Sequence, residues 1–248
     1  MFGLFKKKEK TPLFTGNYSG LHTDMHSHLL PGIDDGSPDL DTSVQLIKGM
    51  MELGYKKFIT TPHVYPDLYA NTPETIKAAH SSLVQRLKEE QMDVEVKAAA
   101  EYFIDDIFPE RLEKGEQLLT IHNNRVLVEI SFLTPPQDLK ETIFKVIMAG
   151  YQPIIAHPER YSFYHYKKDI YHRFKDQGCL LQINLLSLLG YYGKAVQENA
   201  RLIVSEQLVD FIGTDLHHAR HLHTMNNNAL MAEADAILQS GKLLNPLL

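Results

Sequence analysis

Cysteine is almost absent from this chain: its 248 residues include one, Cys179. No disulfide can form within it, so nothing ties the chain to an oxidising compartment. Any metal it holds is bound by nitrogen and oxygen, not thiolate. Long apolar runs are also missing, and none approaches the roughly 18 residues that span a bilayer. The N-terminus, Met1-Phe2-Gly3-Leu4-Phe5-Lys6-Lys7-Lys8-Glu9-Lys10, carries its charges after its apolar residues, the reverse of a secretion signal. Basic excess is lacking too. With 25 Lys and Arg against 31 Asp and Glu, the net charge of −6 argues against a general nucleic-acid binder. No linker, repeat or low-complexity tract divides the sequence. It reads as a cytoplasmic globular protein with a solvated tail over 1–19 and one domain over 20–248. Phe2, Leu4 and Phe5 beside the lysines allow at most a peripheral membrane contact.

Histidine is what the chain has instead, at 13 residues. The segment Asp24-Met25-His26-Ser27-His28 precedes Asp34-Asp35-Gly36. Side chains alternate faces along a strand, so His26 and His28 point the same way and make half of a metal site. Downstream, short β-like runs alternate with helical patterns. The runs are Lys57–Thr61 before Pro62-His63, Val94–Ala100 before Glu101, Arg125–Val128 before Glu129, Pro153–Ala156 before His157, Leu180–Asn184, and Val209–Thr214 before Asp215. Helical spacing covers 41–53, opened by an Asp/Thr cap, and 72–90, with Pro73 in its first turn. It recurs at 138–149, 167–177, 193–206 and 226–240. Gly54, Gly150 and Gly178 sit where helices should stop.

This alternation implies parallel βαβ units in one α/β domain. With the His26-x-His28 strand there are seven strands, and six end at His, Asp or Glu. In a barrel of parallel strands those ends share one face. Each candidate alone has a plain structural reading: His63 as a loop residue, Glu101 as a solvated strand end, Glu129 paired with a surface lysine, Asp215 as a helix cap, His217 as a surface side chain. Their recurrence at nearly every strand end favours a shared site. The tyrosines of Tyr161–Tyr171 read either as a rim for an aromatic substrate or, more commonly, as loop packing.

The ordered set Asp24-Met25-His26-Ser27-His28, Asp34-Asp35-Gly36, Thr60-Thr61-Pro62-His63, Ala100-Glu101-Tyr102, Leu127-Val128-Glu129, Ile155-Ala156-His157-Pro158-Glu159-Arg160-Tyr161 and Gly213-Thr214-Asp215-Leu216-His217 resembles the PHP (polymerase and histidinol phosphatase) family. Within it, the chain is similar to the capsule and exopolysaccharide-locus protein-tyrosine phosphatases of bacteria. The resemblance spans residues 20 to 235. It implies a distorted (β/α)7 TIM-like barrel with up to three divalent metals, Mn2+ first, with Fe or Zn as alternatives. His26, His28 and Asp215 would take the first metal, and Glu101 would bridge to the second, completed by Glu129 and His157. Asp35, His63 and His217 would hold the third, with Asp34 supporting rather than ligating. Arg160 matches the arginine expected near the phosphate. Arg220, three residues after His217, is similar to another substrate-facing arginine and equally reads as a helix-surface charge.

The implied chemistry is phosphotyrosine hydrolysis by a hydroxide generated at the metals, which also neutralise the phosphate oxygens. Arg160 would add bidentate hydrogen bonds. The phenol leaving group, with a pKa near 10, needs little help from an acid, which His217 or His218 would supply. The implied partner is a phosphotyrosine protein, the tail of a bacterial tyrosine kinase controlling polysaccharide export. A cysteine phosphatase is excluded, because its phosphate loop needs an arginine six residues after the cysteine and Leu185 stands there. A histidinol-phosphate phosphatase of the same fold is the first rival. The compact chain and the His217-x-x-Arg220 spacing favour the tyrosine phosphatase. A nuclease and a non-catalytic metal scaffold are further alternatives.

Overall fold

The computed structural model describes residues 16–248. Phe2, Leu4 and Phe5 lie outside them. Among the described residues nine strand segments form: β1 (Thr23–Asp24), β2 (Lys57–Thr60), β3 (His63–Val64), β4 (Glu95–Ala98), β5 (Glu101–Phe103), β6 (Arg125–Glu129), β7 (Gln152–Ala156), β8 (Leu180–Asn184) and β9 (Phe211–Gly213). Every ladder is parallel, because each helix returns the chain to the same end of the sheet. One sheet has the order β1-β2-β4, the other β3-β5-β6-β7-β8-β9.

Seven strand positions become nine segments because two of them break. Thr61-Pro62 separates β2 from β3, and a proline has no N–H to give the ladder. Ala99-Ala100 separates β4 from β5. Pairing continues across the breaks, with Ala99 N donating to Thr60 O at 2.8 Å and Glu101 N to Pro62 O at 3.0 Å. The last strand meets the first through Asp215 N to His26 O at 2.8 Å, His28 N to Leu216 O at 3.0 Å, and a parallel Ser27–Leu216 bridge. The result is the distorted parallel α/β barrel that the sequence implies.

The helices are α1 (Leu40–Glu52), α2 (Pro73–Glu89), α3 (Phe108–Glu113), α4 (Leu139–Met148), α5 (Lys168–Asp176), α6 (Leu185–Leu189), α7 (Lys194–Ser205), α8 (Ala219–Met225) and α9 (Asn228–Gln239). The six long ones match the six helical stretches of the sequence. Helices α3, α6 and α8 have five to seven residues, too few turns for a 3.6-residue period to register. Helix α1 is capped by Asp39 rather than Asp41: its carboxylate accepts from Thr42 N at 2.8 Å. In α2, Thr72 and Thr75 cap each other's backbone and Pro73 opens the first turn. Gly54 ends α1 at φ +107°, where an added Cβ would lie 2.7 Å from Ser19 N.

Two apolar clusters follow from the two-residue alternation of the strands. Phe58, Val126, Val128, Ile155, Leu181 and Ile212 face outward into the larger one, beneath the helices. Met25, Ile59, Ala99, Leu127, Ile154 and Phe211 face inward with Leu180, closed off by Leu244 and Leu248. Asn245 seats this plug: its amide donates to Ile212 O at 2.7 Å and accepts from Ile212 N at 3.0 Å.

At the other terminus Tyr18 is buried, and its hydroxyl donates to Met225 O at 2.8 Å. Core structure thus includes residues placed by sequence in the tail of 1–19. Tyr161, Tyr164 and Tyr171 are buried, so the aromatic segment is mostly loop packing, with Tyr166 exposed. No helix among the described residues is long and apolar enough to cross a membrane.

Candidate metal centre

The strand ends deliver their polar residues to one place. His26 and His28 follow β1, His63 opens β3, Glu101 opens β5, Glu129 closes β6, His157 follows β7, and Asp215 and His217 follow β9. Asp35 comes from the loop after His28. All nine sequence-predicted ligands fall into overlapping groups whose donor atoms lie within 4.8 Å of one another.

Three donor sets stand out. His26 Nε2 and His28 Nε2 are 3.4 Å apart, and both lie 3.3–3.5 Å from Glu101 Oε2 and Asp215 Oδ1. His157 Nε2 is 3.2 Å from Glu101 Oε1 and 3.4 Å from Glu129 Oε1. Asp35 Oδ1 is 3.5 Å from both His63 Nε2 and His217 Nε2. Ligands about 2.1 Å from a shared ion sit roughly 3.0–3.4 Å from each other, so these spacings suit divalent cations. Glu101 Oε2 is buried with no hydrogen-bond partner and has the rings of His26, His28 and His63 around it. An orphaned buried carboxylate oxygen is costly unless a cation sits beside it. The donor set is nitrogen and oxygen throughout, suited to Mn, Fe or Zn.

A second layer fixes the rings. His26 Nδ1 bonds Gln182 Oε1 at 2.8 Å, His28 Nδ1 bonds Asp34 Oδ2 at 2.8 Å, and His217 Nδ1 bonds the Asp215 carbonyl at 2.9 Å. Each bond turns Nε2 toward the donor cluster and sets the tautomer. Gln182 Nε2 donates onward to Asn184 Oδ1 at 2.9 Å, and Asn184 Nδ2 donates to Asp215 Oδ2 at 2.7 Å. Strand β8, which lacks a ligand-type end in the sequence, thus orients ligands of two other strands. Its signal was present as polar residues at 182 and 184 in an otherwise apolar run. His157 (φ +33°) and Asp215 (φ +52°) adopt left-handed backbone conformations. Such strain persists where surrounding contacts over-determine it. Gly213 allows the approach, since an added Cβ would come within 2.6 Å of the His26 Cβ.

The buried charges perturb one another. Burial opposes the charge of His26 and His28, yet the carboxylates of Glu101 and Asp215, and of Asp34 and Glu101, hold both above the ordinary imidazole value. Burial lowers His157 to about 4 and also lowers His63. Glu129 is pushed well up by burial and by the charges of Glu101 and Asp215. Glu101 and Asp215 are held down despite burial, by His26 and His63 and by His217 and His26 respectively. Acids and imidazoles are thus balanced by protons that a cation would displace.

A cavity of about 310 Å³ opens onto this cluster. Asp35, His63, Glu129, His157, Arg160, Asp215 and His217 line it. So do Phe132, Tyr192, His218 and His221, of which only His218 was singled out in the sequence. Arg160 Nη1 donates to Asp215 Oδ2 at 2.7 Å. Its guanidinium lies over the rings of Tyr192 at 4.4 Å and Phe132 at 4.9 Å. Arg220 is not among the lining residues: it is exposed on α8, over the Tyr191 ring at 5.7 Å. Helix α8 begins at Ala219, so a spacing of three from His217 turns Arg220 onto the outer surface. Cys179 is buried away from the cavity, its thiol pushed up to about 12 by burial, and is no nucleophile.

The geometry agrees with comparisons to known proteins. The family model "Capsular polysaccharide synthesis, CpsB/CapC" matches residues 22–235. Tyrosine-protein phosphatase YwqE of Bacillus subtilis is 29% identical over 204 residues, covering 81% of this chain and 80% of that protein. A chain from the crystal structures of YwqE from Bacillus subtilis and CpsB from Streptococcus pneumoniae, metal-dependent tyrosine phosphatases, matches with a TM-score of 0.75 at 26% identity, over 88% of this chain and 94% of that one. The histidinol phosphate phosphatase of Lactococcus lactis shares the fold, with a TM-score of 0.50 at 14% identity over 86% of this chain and 92% of that one. With one family model spanning the barrel and every expected donor gathered at its polar end, the chain belongs to the CpsB/CapC family.

Proposed function

We propose that this chain is a metal-dependent phosphotyrosine phosphatase of capsular polysaccharide synthesis, a phosphoric monoester hydrolase. The observation that carries the reading is the juxtaposition of three nitrogen-and-oxygen donor sets with the Arg160 guanidinium at one cavity. His26, His28, Glu101 and Asp215 would hold one cation, Glu101, Glu129 and His157 a second, and Asp35, His63 and His217 a third, with Mn2+ the proposed metal. When bound, the metals would supply Lewis acidity toward the phosphate oxygens and lower the pKa of a water.

The chain's own residues do the rest. Arg160 faces the cavity half-buried, held by Asp215 and flanked by two rings, so its N–H groups are preorganised for phosphate oxygens. Asp34, Gln182 and Asn184 keep the imidazoles and Asp215 aimed inward. His217 has both ring nitrogens engaged, Nδ1 by the Asp215 carbonyl and Nε2 beside Asp35. That leaves His218, at the cavity wall, to give a proton to the departing phenolate oxygen. A water oxygen bonds to phosphorus as the bond from phosphorus to the aryl oxygen breaks, and tyrosine and inorganic phosphate leave. Arg220, outside the cavity, would contact the protein around the phosphotyrosine. The substrate we infer is the tyrosine-rich tail of a bacterial tyrosine kinase, met in the cytoplasm.

The test is a steady-state comparison of a phosphotyrosine peptide, a phosphoserine peptide and histidinol phosphate at defined Mn2+. The reading expects the phosphotyrosine peptide to have the highest kcat/KM. A preference for histidinol phosphate would overturn it and assign a small-molecule phosphatase to the same fold.

A further inference from the structure

The cavity wall is nearly all charged or imidazole. Among the described residues only Phe132 and Tyr192 present carbocyclic rings to it. Tyr192 is half-buried: Arg160 lies over its face, Tyr191 and His221 meet it edge-on, and its hydroxyl is buried. Phe132 differs. Its centroid lies 5.6 Å from His157 in a near-parallel stack and 5.3 Å from Tyr161, and the Arg160 guanidinium lies over it at 4.9 Å, yet 39% of its surface stays open. What sets this exposed ring apart is its place on the cavity wall, where a ligand's apolar group could cover it.

Its loop is stiff. Residues 130–138 join β6 to α4 and include Pro135-Pro136, whose rings fix φ. Ile130 N donates to the Tyr161 hydroxyl at 3.1 Å, and Leu133 N donates to Ser131 Oγ at 3.1 Å. The ring is therefore placed before any substrate arrives, which lowers the ordering cost of using it.

We propose that Phe132 is the specificity-determining residue for aryl phosphates: the exposed part of its ring contacts the phenyl ring of the phosphotyrosine whose phosphate Arg160 and the donor cluster hold. This rests on the phosphatase reading above. It adds the reason an alkyl phosphate ester is a poorer substrate beyond its leaving group. A phosphoserine or a small polar phosphate ester leaves the ring uncovered, whereas a phenyl ring gains aromatic contact and apolar burial.

The Arg160 contact supplies the competing explanation. If Phe132 served only to hold Arg160, removing it would weaken every phosphate ester alike. The experiment therefore compares wild type, Phe132→Leu and Phe132→Ala, each with phenyl phosphate and with an alkyl phosphate monoester at saturating Mn2+. Metal content and thermal midpoint serve as folding controls. The proposal expects the aryl-over-alkyl ratio of kcat/KM to fall about three- to tenfold in Phe132→Ala, through KM more than kcat, with Phe132→Leu between. An unchanged ratio with both substrates slowed equally would overturn it and make Phe132 a positioning residue for Arg160. A wild-type enzyme that hydrolyses neither ester would instead defeat the phosphatase reading.

Discussion

The two ends of the barrel are built from the same strands and do opposite work. At one end the inward side chains are Met25, Ile59, Leu127, Ile154 and Phe211, sealed by Leu244 and Leu248. At the other, a few residues on, the same strands deliver His26, His63, Glu129, His157 and Asp215. The apolar end gains stability from burial, roughly 1.5–3 kcal/mol for each large side chain. The polar end spends some of it by burying carboxylates and imidazoles whose charges are compensated only by one another. The difference teaches that ring stability and site chemistry are separable here, and substitutions can be chosen to move one without the other.

His157→Ala at the polar end should have the largest effect on function. It removes a donor between Glu101 and Glu129, and phosphotyrosine turnover should fall by more than about a thousandfold with loss of bound metal. Metal analysis beside kcat/KM checks this, and far-ultraviolet circular dichroism should stay unchanged. Phe211→Ala at the apolar end should do the reverse. Phe211 is fully buried, so the variant should lose about 3–5 kcal/mol of stability, read by urea unfolding, while folded protein keeps its turnover per bound metal.

A substitution between the two ends should be intermediate. Gln182→Leu keeps the strand apolar but frees the His26 ring and the Asn184 amide. It should weaken metal binding about 10- to 100-fold, measured by competition with a chelator, at little cost in thermal midpoint. Acidity gives the gentlest handle. In the metal-free protein His26 and His28 titrate above the unfolded value, so their stabilising contribution is complete below about pH 6.5 and is lost as pH rises through their folded values. Metal affinity should rise over that same window, as the protons leave. Thermal midpoints of stripped and Mn2+-loaded protein between pH 6 and 9 should therefore diverge. Parallel curves would break the link.

Much of this division was legible in the sequence. A ligand-type residue after a β-branched run marks a strand end without any knowledge of the tertiary fold, and the recurrence of such ends pointed to a shared site; the full set of nine donors, Asp35 among them, came from the family resemblance. The long helices were readable because their apolar period persists over several turns. Phe132 and Tyr192 were not, because loops carry no period, nor was His221, on the short helix α8; each is an ordinary residue until the barrel brings it to the cavity. Gln182 and Asn184 are similar: their role depends on partners across the ring, His26 and Asp215, that no local pattern names. Arg220 was read either as a substrate-facing arginine, by family resemblance, or as a helix-surface charge, and the start of α8 decided which way it faced.

The central claim is that turnover belongs to the polar cluster and its metals, with no part for the chain's one thiol. The most direct measurement strips wild type and Cys179→Ser with a chelator and follows phosphotyrosine peptide hydrolysis as Mn2+ is returned. The account predicts negligible activity in both stripped proteins and the same recovery in both, rising with metal occupancy. Activity that survives stripping, or a Cys179→Ser protein that regains its metal but not its turnover, would contradict it.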